Sequence, residues 1–95
     1  MLDGLEGFEW DVHNVHHVAL HDVTPSEVEE AAAGCHVIIP AASKKKEKRW
    51  KLFGRTSDGR FLVVVFTIRL NKLRTVTAYT MNQAERTVYA AHLEA

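Results

Sequence analysis

An α+β fold is the expectation: two N-terminal helices and a C-terminal helix packed on a mostly antiparallel sheet of four to five strands. Three features predict it. Thr24 to Gly34 carries the start and stop signals of a short helix. Three strand-length stretches follow Lys48, separated by tight-turn signals, and the chain then closes on an amphipathic segment with its own N-cap. With 95 residues, 46% of them hydrophobic, the chain has material for one core, so residues 1–95 are expected to form a single domain without internal repeat or linker.

The opening "GLEGFEWD" reads as a brief strand or extended arm ending at Asp11, a good N-cap. A helix is expected from Val12 to His21, with Val12, Val15, Val18, Ala19 and Leu20 on one broad arc. His13, Asn14, His17 and His21 fall on the opposite arc, with His16 at the boundary. In "VTPSEVEEAAAG", Thr24 is the N-cap, Pro25 opens the first turn and Glu27 closes a capping box. Val23 and Val28 have staple spacing, and Gly34 ends the helix. "CHVIIP" is then a strand stopped by Pro40, its apolar neighbours suggesting a buried Cys35 thiol, and "AASKKKEKR" is a charged loop or hairpin tip.

"RWKLFGR" and "RFLVVVFTIRL" are strands joined through the Asp58-Gly59 turn, and "LRTVTAYTM" follows through Asn71-Lys72. The middle strand is apolar on both faces and is expected to lie centrally. In "NQAERTVYAAHLEA", Asn82 caps with Glu85 three residues on, and Val88, Ala91 and Leu93 form the apolar side of a final helix.

Lys plus Arg is 12 and Asp plus Glu is 12, so the formal charge is zero and any attraction to a polyanion is local rather than molecule-wide. The single cysteine excludes an internal disulfide and suits a reducing compartment. No stretch approaches the ~20 apolar residues needed to cross a bilayer, and "MLDGLEGFEW" lacks a leader-like pattern. A soluble, cytoplasmic protein without membrane association is expected.

Three features offer chemistry. His13, His17 and His21 are spaced i, i+4, i+8. Neighbouring imidazoles reach one zinc ion at that spacing, but two ligands do not make a site, and the glutamate of HExxH is missing. A solvated polar face and general acid–base use of one or two imidazoles stay open; no metal or other cofactor is expected. Alternation from Arg49 sends Arg49, Lys51, Phe53 and Arg55 to one face, with Lys44, Lys45, Lys46 and Lys48 at the approach. This reads either as a phosphate-binding surface for RNA or as an edge protected by charge. Tyr79, placed by alternation on the face of Thr75 and Thr77, is either a packing residue or a phenol that orients a hydroxyl or phosphate.

From about Phe8 to Tyr89 the chain resembles the BrnT family of small bacterial toxins, whose partners are BrnA antitoxins. The resemblance rests on "FEWD", "NVHHVALHDVTPSEVEEA", "RWKLFGRTSDGRFLVVVF" and "RTVTAYTMNQAERTVY", in that order and spacing. It implies a RelE-like fold, metal-independent ribonuclease activity, and neutralisation by a small ribbon-helix-helix antitoxin, with DNA association only through that partner. Asn14, His17, His21, Arg49, Arg55, Arg74, Glu85 and Tyr89 fall on matching positions. Two positions depart: Tyr79 stands where the family carries arginine, and Asp22 replaces a common glycine. A guanidinium holds phosphate bidentately and a phenol does not, so the change bears on rate.

Two readings follow. In the first the chain is an endoribonuclease toxin, attenuated by Tyr79, with His21 as leading acid–base group, His17 supporting, Arg49 and Arg55 holding phosphate and Tyr79 positioning it. In the alternative it is a non-catalytic binding module of the same fold that complexes an antitoxin-like partner.

Overall fold

The computed structural model describes residues 1–44 and 46–94; Lys45, one of the expected RNA-binding lysines, lies outside them. The elements are β1 (Phe8–Glu9), α1 (Val12–Ala19), α2 (Pro25–Ala33), β2 (Val37–Lys44), β3 (Glu47–Arg55), β4 (Phe61–Arg69), β5 (Lys72–Thr80) and α3 (Gln83–Glu94). The strands form one five-stranded sheet in the order β1-β5-β4-β3-β2. Three antiparallel pairings make the meander, and β1 joins β5 in parallel, so the sheet is mixed. No helix is long and apolar enough to cross a membrane among the described residues.

The alternating strands divide their side chains between two cores. On one face, Leu52, Leu62, Val64, Phe66, Leu73 and Ala78 pack with Val18 of α1, Val23 at its exit and Val28, Ala31 and Ala32 of α2. Trp50 stacks on Phe66 at 5.8 Å on this side. On the other, Phe53 and Val63 pack with Met81 and Tyr89, so α3 covers only part of that face. β4, apolar on both sides, lies centrally as expected.

Both capping boxes at the first two helices form. Asp11 accepts from the amides of His13 and Asn14, and Thr24 accepts from Glu27. The first helix is nonetheless shorter than expected and turned differently. It ends at Ala19, and Asp22 adopts a left-handed φ of 58° in the turn to α2. Its buried stripe is only Asn14 and Val18, leaving Val12 75% and Leu20 68% exposed. The cause is that α1 packs along β5 and is pinned there through a polar residue, so a broad apolar arc has no surface to cover.

Three further expectations are corrected. β2 runs through Pro40 to Lys44 instead of stopping, because β2 is an edge strand where a missing backbone N–H breaks no outer ladder. Residues 47 and 48 consequently belong to a strand rather than to a loop. Cys35 is exposed, not buried: it sits in the connection between α2 and β2, outside the strand's apolar run. Finally, the β4–β5 turn is centred on Leu70 and Asn71, with Arg69 paired to Lys72.

Both turn residues have positive φ, 49° and 63°, the signature of a type I′ hairpin. Asparagine tolerates this conformation; leucine, here 87% exposed, brings a steric penalty without burial to offset it. Leu70→Asn is therefore expected to stabilise the protein by about 0.5–1 kcal/mol, raising the melting temperature by about 2–8 °C in a calorimetric scan.

Candidate active site

The histidine stripe borders a hollow of about 230 Å³, lined by His13, Asn14 and His17 of α1, Glu47 and Arg49 of β3, Thr67 of β4, and Arg74, Thr75 and Val76 of β5. Asn14, 3% exposed, fixes the wall of this hollow. Its Nδ2 donates to the carbonyls of Glu9 at 2.9 Å and Thr75 at 3.2 Å, and its Oδ1 accepts from the Asp11 amide at 2.8 Å. With Asn14 turned into the structure, His13 and His17, one helical turn apart, line the space above the sheet.

Beyond the helix, His21 continues the row. Its ring stacks with His17 at 6.3 Å and lies 6.3 Å from Tyr79, tilted by 60°. Three of the expected catalytic residues, His17, His21 and Tyr79, thus form one chain of rings, and a fourth, Arg49, shares the hollow with His17. The fifth is elsewhere. Arg55 is exposed, lies 5.6 Å from the Phe61 ring centre, and lines a separate hollow with Cys35, Tyr89 and Leu93.

Of the expected RNA-binding lysines, Lys51 is half-buried on the face of Arg49, and Lys46 and Lys48 are exposed at the β2–β3 hairpin. Lys44 ends β2. Alternation places Lys48 on the face opposite Arg49, and none of the described lysines lines the hollow itself.

The arginines of the hollow are already paired. Arg49 donates from Nε at 3.1 Å and Nη2 at 3.0 Å to Oε2 of Glu47. Arg74 donates from Nη1 to Glu9 at 3.0 Å and contacts Asp11 at 2.9 Å. The hydrogen bond from Arg74 holds the Asp11 carboxyl below the usual carboxylate range, and Asp11 in turn raises the Arg74 guanidinium. The hollow therefore juxtaposes imidazoles with guanidinium groups whose charge is locally balanced.

Tyr79 has a structural partner. Its hydroxyl donates to Oε2 of Glu85 at 3.0 Å, while Oε1 of Glu85 accepts from the Asn82 amide at 3.0 Å and Asn82 Oδ1 accepts from Glu85 N at 2.8 Å. The phenol thus locks onto the capping box of α3. A bulge at Val76 sets its direction: Thr75 faces Phe66 while Thr77 faces Val65. Tyr79 and Thr75 consequently point to opposite faces, against the expectation of a shared one.

Burial, then the Glu85 carboxylate, pushes Tyr79 up from 10.0 to about 12. The folded value lies above the unfolded one, so the protonated phenol stabilises the fold fully below about pH 10, and that contribution is lost between about pH 10 and 12. Burial also raises Tyr89, so a spectrophotometric titration of phenolate absorbance is expected to show both tyrosines ionising late, with the later step removed by Tyr79→Phe.

Tyr89 plays a packing part. It is 3% exposed, donates to the Cys35 carbonyl at 2.8 Å and meets Phe61 edge-on at 6.0 Å. Of the nine lining residues only His17 and Arg49 were expected site residues; among the charged ones Glu47 was missed, Arg74 entered only as a position matching the family, and His13 was noted only as part of the stripe. The available signal for Glu47 was its i, i+2 spacing to Arg49, which places both on one strand face, but it is hidden within a lysine run. Among the described residues, no three His, Cys, Asp or Glu side chains gather as a metal ligand set.

No curated protein matches the chain. A family model described as the ribonuclease toxin BrnT of type II toxin–antitoxin systems matches residues 10–85, a span that holds α1, α2, the whole β2–β5 meander and the first turn of α3. The chain belongs to the BrnT family of type II toxin–antitoxin ribonuclease toxins.

Proposed function

We propose that the chain is the toxin of a type II toxin–antitoxin pair and cleaves RNA without a metal ion, on a RelE-like scaffold. The observation that supports this best is the hollow in which His13 and His17 stand beside Arg49 and Arg74. Metal-free cleavage needs a base for the 2′-hydroxyl, an acid for the leaving oxygen and fixed positive charge at the phosphorus. His17 and His21 are the acid–base candidates, Arg49 the phosphate clamp, and Tyr79 the neighbour that orients His21. Lys46, Lys48 and Lys51, with Lys44 and Lys45, would attract the RNA backbone. Arg55, in its separate hollow, would contact the strand away from the reacting phosphate. A ribbon-helix-helix partner of BrnA type would neutralise the toxin in the cytoplasm and supply any DNA contact.

A second reading has its own support: both arginines of the hollow are held by carboxylates, and position 79 supplies a phenol already committed to Glu85. On that reading the domain binds its antitoxin without cleaving. Purified, antitoxin-free protein incubated with a defined RNA in EDTA decides between them. Fragments ending in 2′,3′-cyclic phosphate establish the nuclease. Intact RNA with folded wild type, together with cleavage by Tyr79→Arg, establishes the binding module.

A further inference from the structure

We infer that Glu47 is the proton acceptor of the cleavage reaction, held on Arg49 in the free protein and released beside the substrate when a phosphate takes that guanidinium. The inference rests on the ribonuclease reading and moves the role of base from the imidazoles to Glu47, leaving His17 as the acid.

Three observations carry it. First, Glu47 lines the same hollow as His13, His17 and Arg49. Second, both hydrogen bonds from Arg49 end on one oxygen, Oε2, so among the described residues Oε1 has no protein donor. Third, Glu47 differs from the other two carboxylates at the site. Asp11 caps α1 and holds Arg74, and Glu9 bridges Arg74 at 3.0 Å and Arg69 at 3.7 Å, so both are structural ties. Among the described residues Glu47 holds only Arg49, and its side chain is 38% exposed.

A phosphodiester offers a guanidinium the same bidentate geometry as a carboxylate and carries the same single charge. Exchange of one for the other on Arg49 conserves both the hydrogen bonds and the charge balance of the hollow. It also leaves the displaced carboxylate next to the bound ribose. The charged and titratable groups around Glu47 are Arg49 on its own strand, Lys44 at the paired position of β2, His13 and His17 from α1, and Arg74, itself tied to Glu9 and Asp11.

The step balances as follows. The O–H bond of the 2′-hydroxyl breaks and its proton passes to Glu47, while the oxygen's electron pair forms a bond to phosphorus. The bond from phosphorus to the 5′-oxygen breaks, and that oxygen takes a proton from the His17 imidazolium. The products are a 2′,3′-cyclic phosphate and a 5′-hydroxyl, with Glu47 neutral and His17 neutral until water restores both.

The test is steady-state cleavage, across pH, of a fluorogenic oligodeoxynucleotide containing a single ribonucleotide, by wild type, Glu47→Gln and Glu47→Asp, with circular dichroism confirming the fold of each. Glu47→Gln is expected to lower kcat by about 10²–10⁴-fold, to lower KM because Arg49 loses its competitor, and to erase the acid-side limb of the pH–rate profile. Glu47→Asp is expected to keep that limb. An unchanged or raised kcat in Glu47→Gln overturns the inference and makes Glu47 a mere competitor for Arg49. A lower kcat with a higher KM and an intact acid limb also overturns it, making Glu47 an aligner of Arg49. If wild type leaves the oligonucleotide uncut, the ribonuclease reading itself fails and takes this inference with it.

Discussion

Alanine at Arg49 is expected to lower kcat/KM for RNA cleavage by about 10²–10³-fold, and alanine at His17 by about 10²–10⁴-fold, with the fold retained in both. Arg49 belongs to neither core; its side chain is 23% exposed and both of its hydrogen bonds go to Glu47 in the hollow. Truncation therefore removes charge at the phosphorus and little else. Arg49→Lys is expected to recover only a small part, since an ammonium cannot reproduce the two parallel bonds. The cleanest measurement is single-turnover cleavage of a short RNA, with growth arrest after induction as the cellular readout. Rates within twofold of wild type for both alanine variants would remove the hollow from the mechanism.

These two residues also illustrate what was legible in the sequence. The faces of His17, His21 and Arg49 could be assigned in the sequence because a helix and a strand have fixed periodicities, while their roles came only with the family resemblance. Whether the two faces meet depends on how α1 docks, and that was decided by Asn14, whose side chain bonds to backbone atoms of β1 and β5. No periodicity announces a buried asparagine; the apolar arc of the helix pointed to Val12 and Leu20 instead, both of which face solvent.

Arg55 and Tyr79 show the limits of alternation in the sheet. Arg49 and Arg55 share a strand face, yet six residues at about 3.3 Å each separate their backbones by roughly 20 Å, too far for one phosphate. The faces of β5 depended on a one-residue bulge at Val76, which reverses every assignment before it relative to those after. Pro40 misled in a different way: the strand boundary it suggests holds for an interior strand, whereas its true neighbour lies on one side only. Capping boxes, in contrast, are local hydrogen-bond exchanges, and those at Thr24 and Asn82 form as the residues dictate.

The largest effect on stability is expected at Gly54, near the end of β3 and directly beneath α2. A methyl group added there would stand 2.7 Å from the carbonyl oxygen of Ala31, 3.1 Å from its Cβ and 3.1 Å from Cδ2 of Leu52. The Leu52 contact can rotate away, but the carbonyl is backbone and moves only with the helix. That helix is tied down: Glu27 pairs with Arg60 at 2.7 Å, Glu30 accepts from the Ser57 hydroxyl at 2.7 Å, and Val28 and Ala31 are fully buried. Gly54→Ala is therefore expected to cost about 1–3 kcal/mol, seen as a lower urea midpoint at unchanged slope. Gly54→Val adds two more carbons to the same clash and is expected to leave most of the chain unfolded, given total stabilities of about 5–15 kcal/mol for domains. Adding Ala31→Gly to Gly54→Ala separates the two contacts. It relieves the meeting of Cβ atoms but not the clash with the carbonyl, and it weakens the helix by about 1 kcal/mol. The double variant is thus expected to be no more stable than Gly54→Ala alone. Recovery to wild-type stability would mean that α2 can lift its backbone off β3 freely.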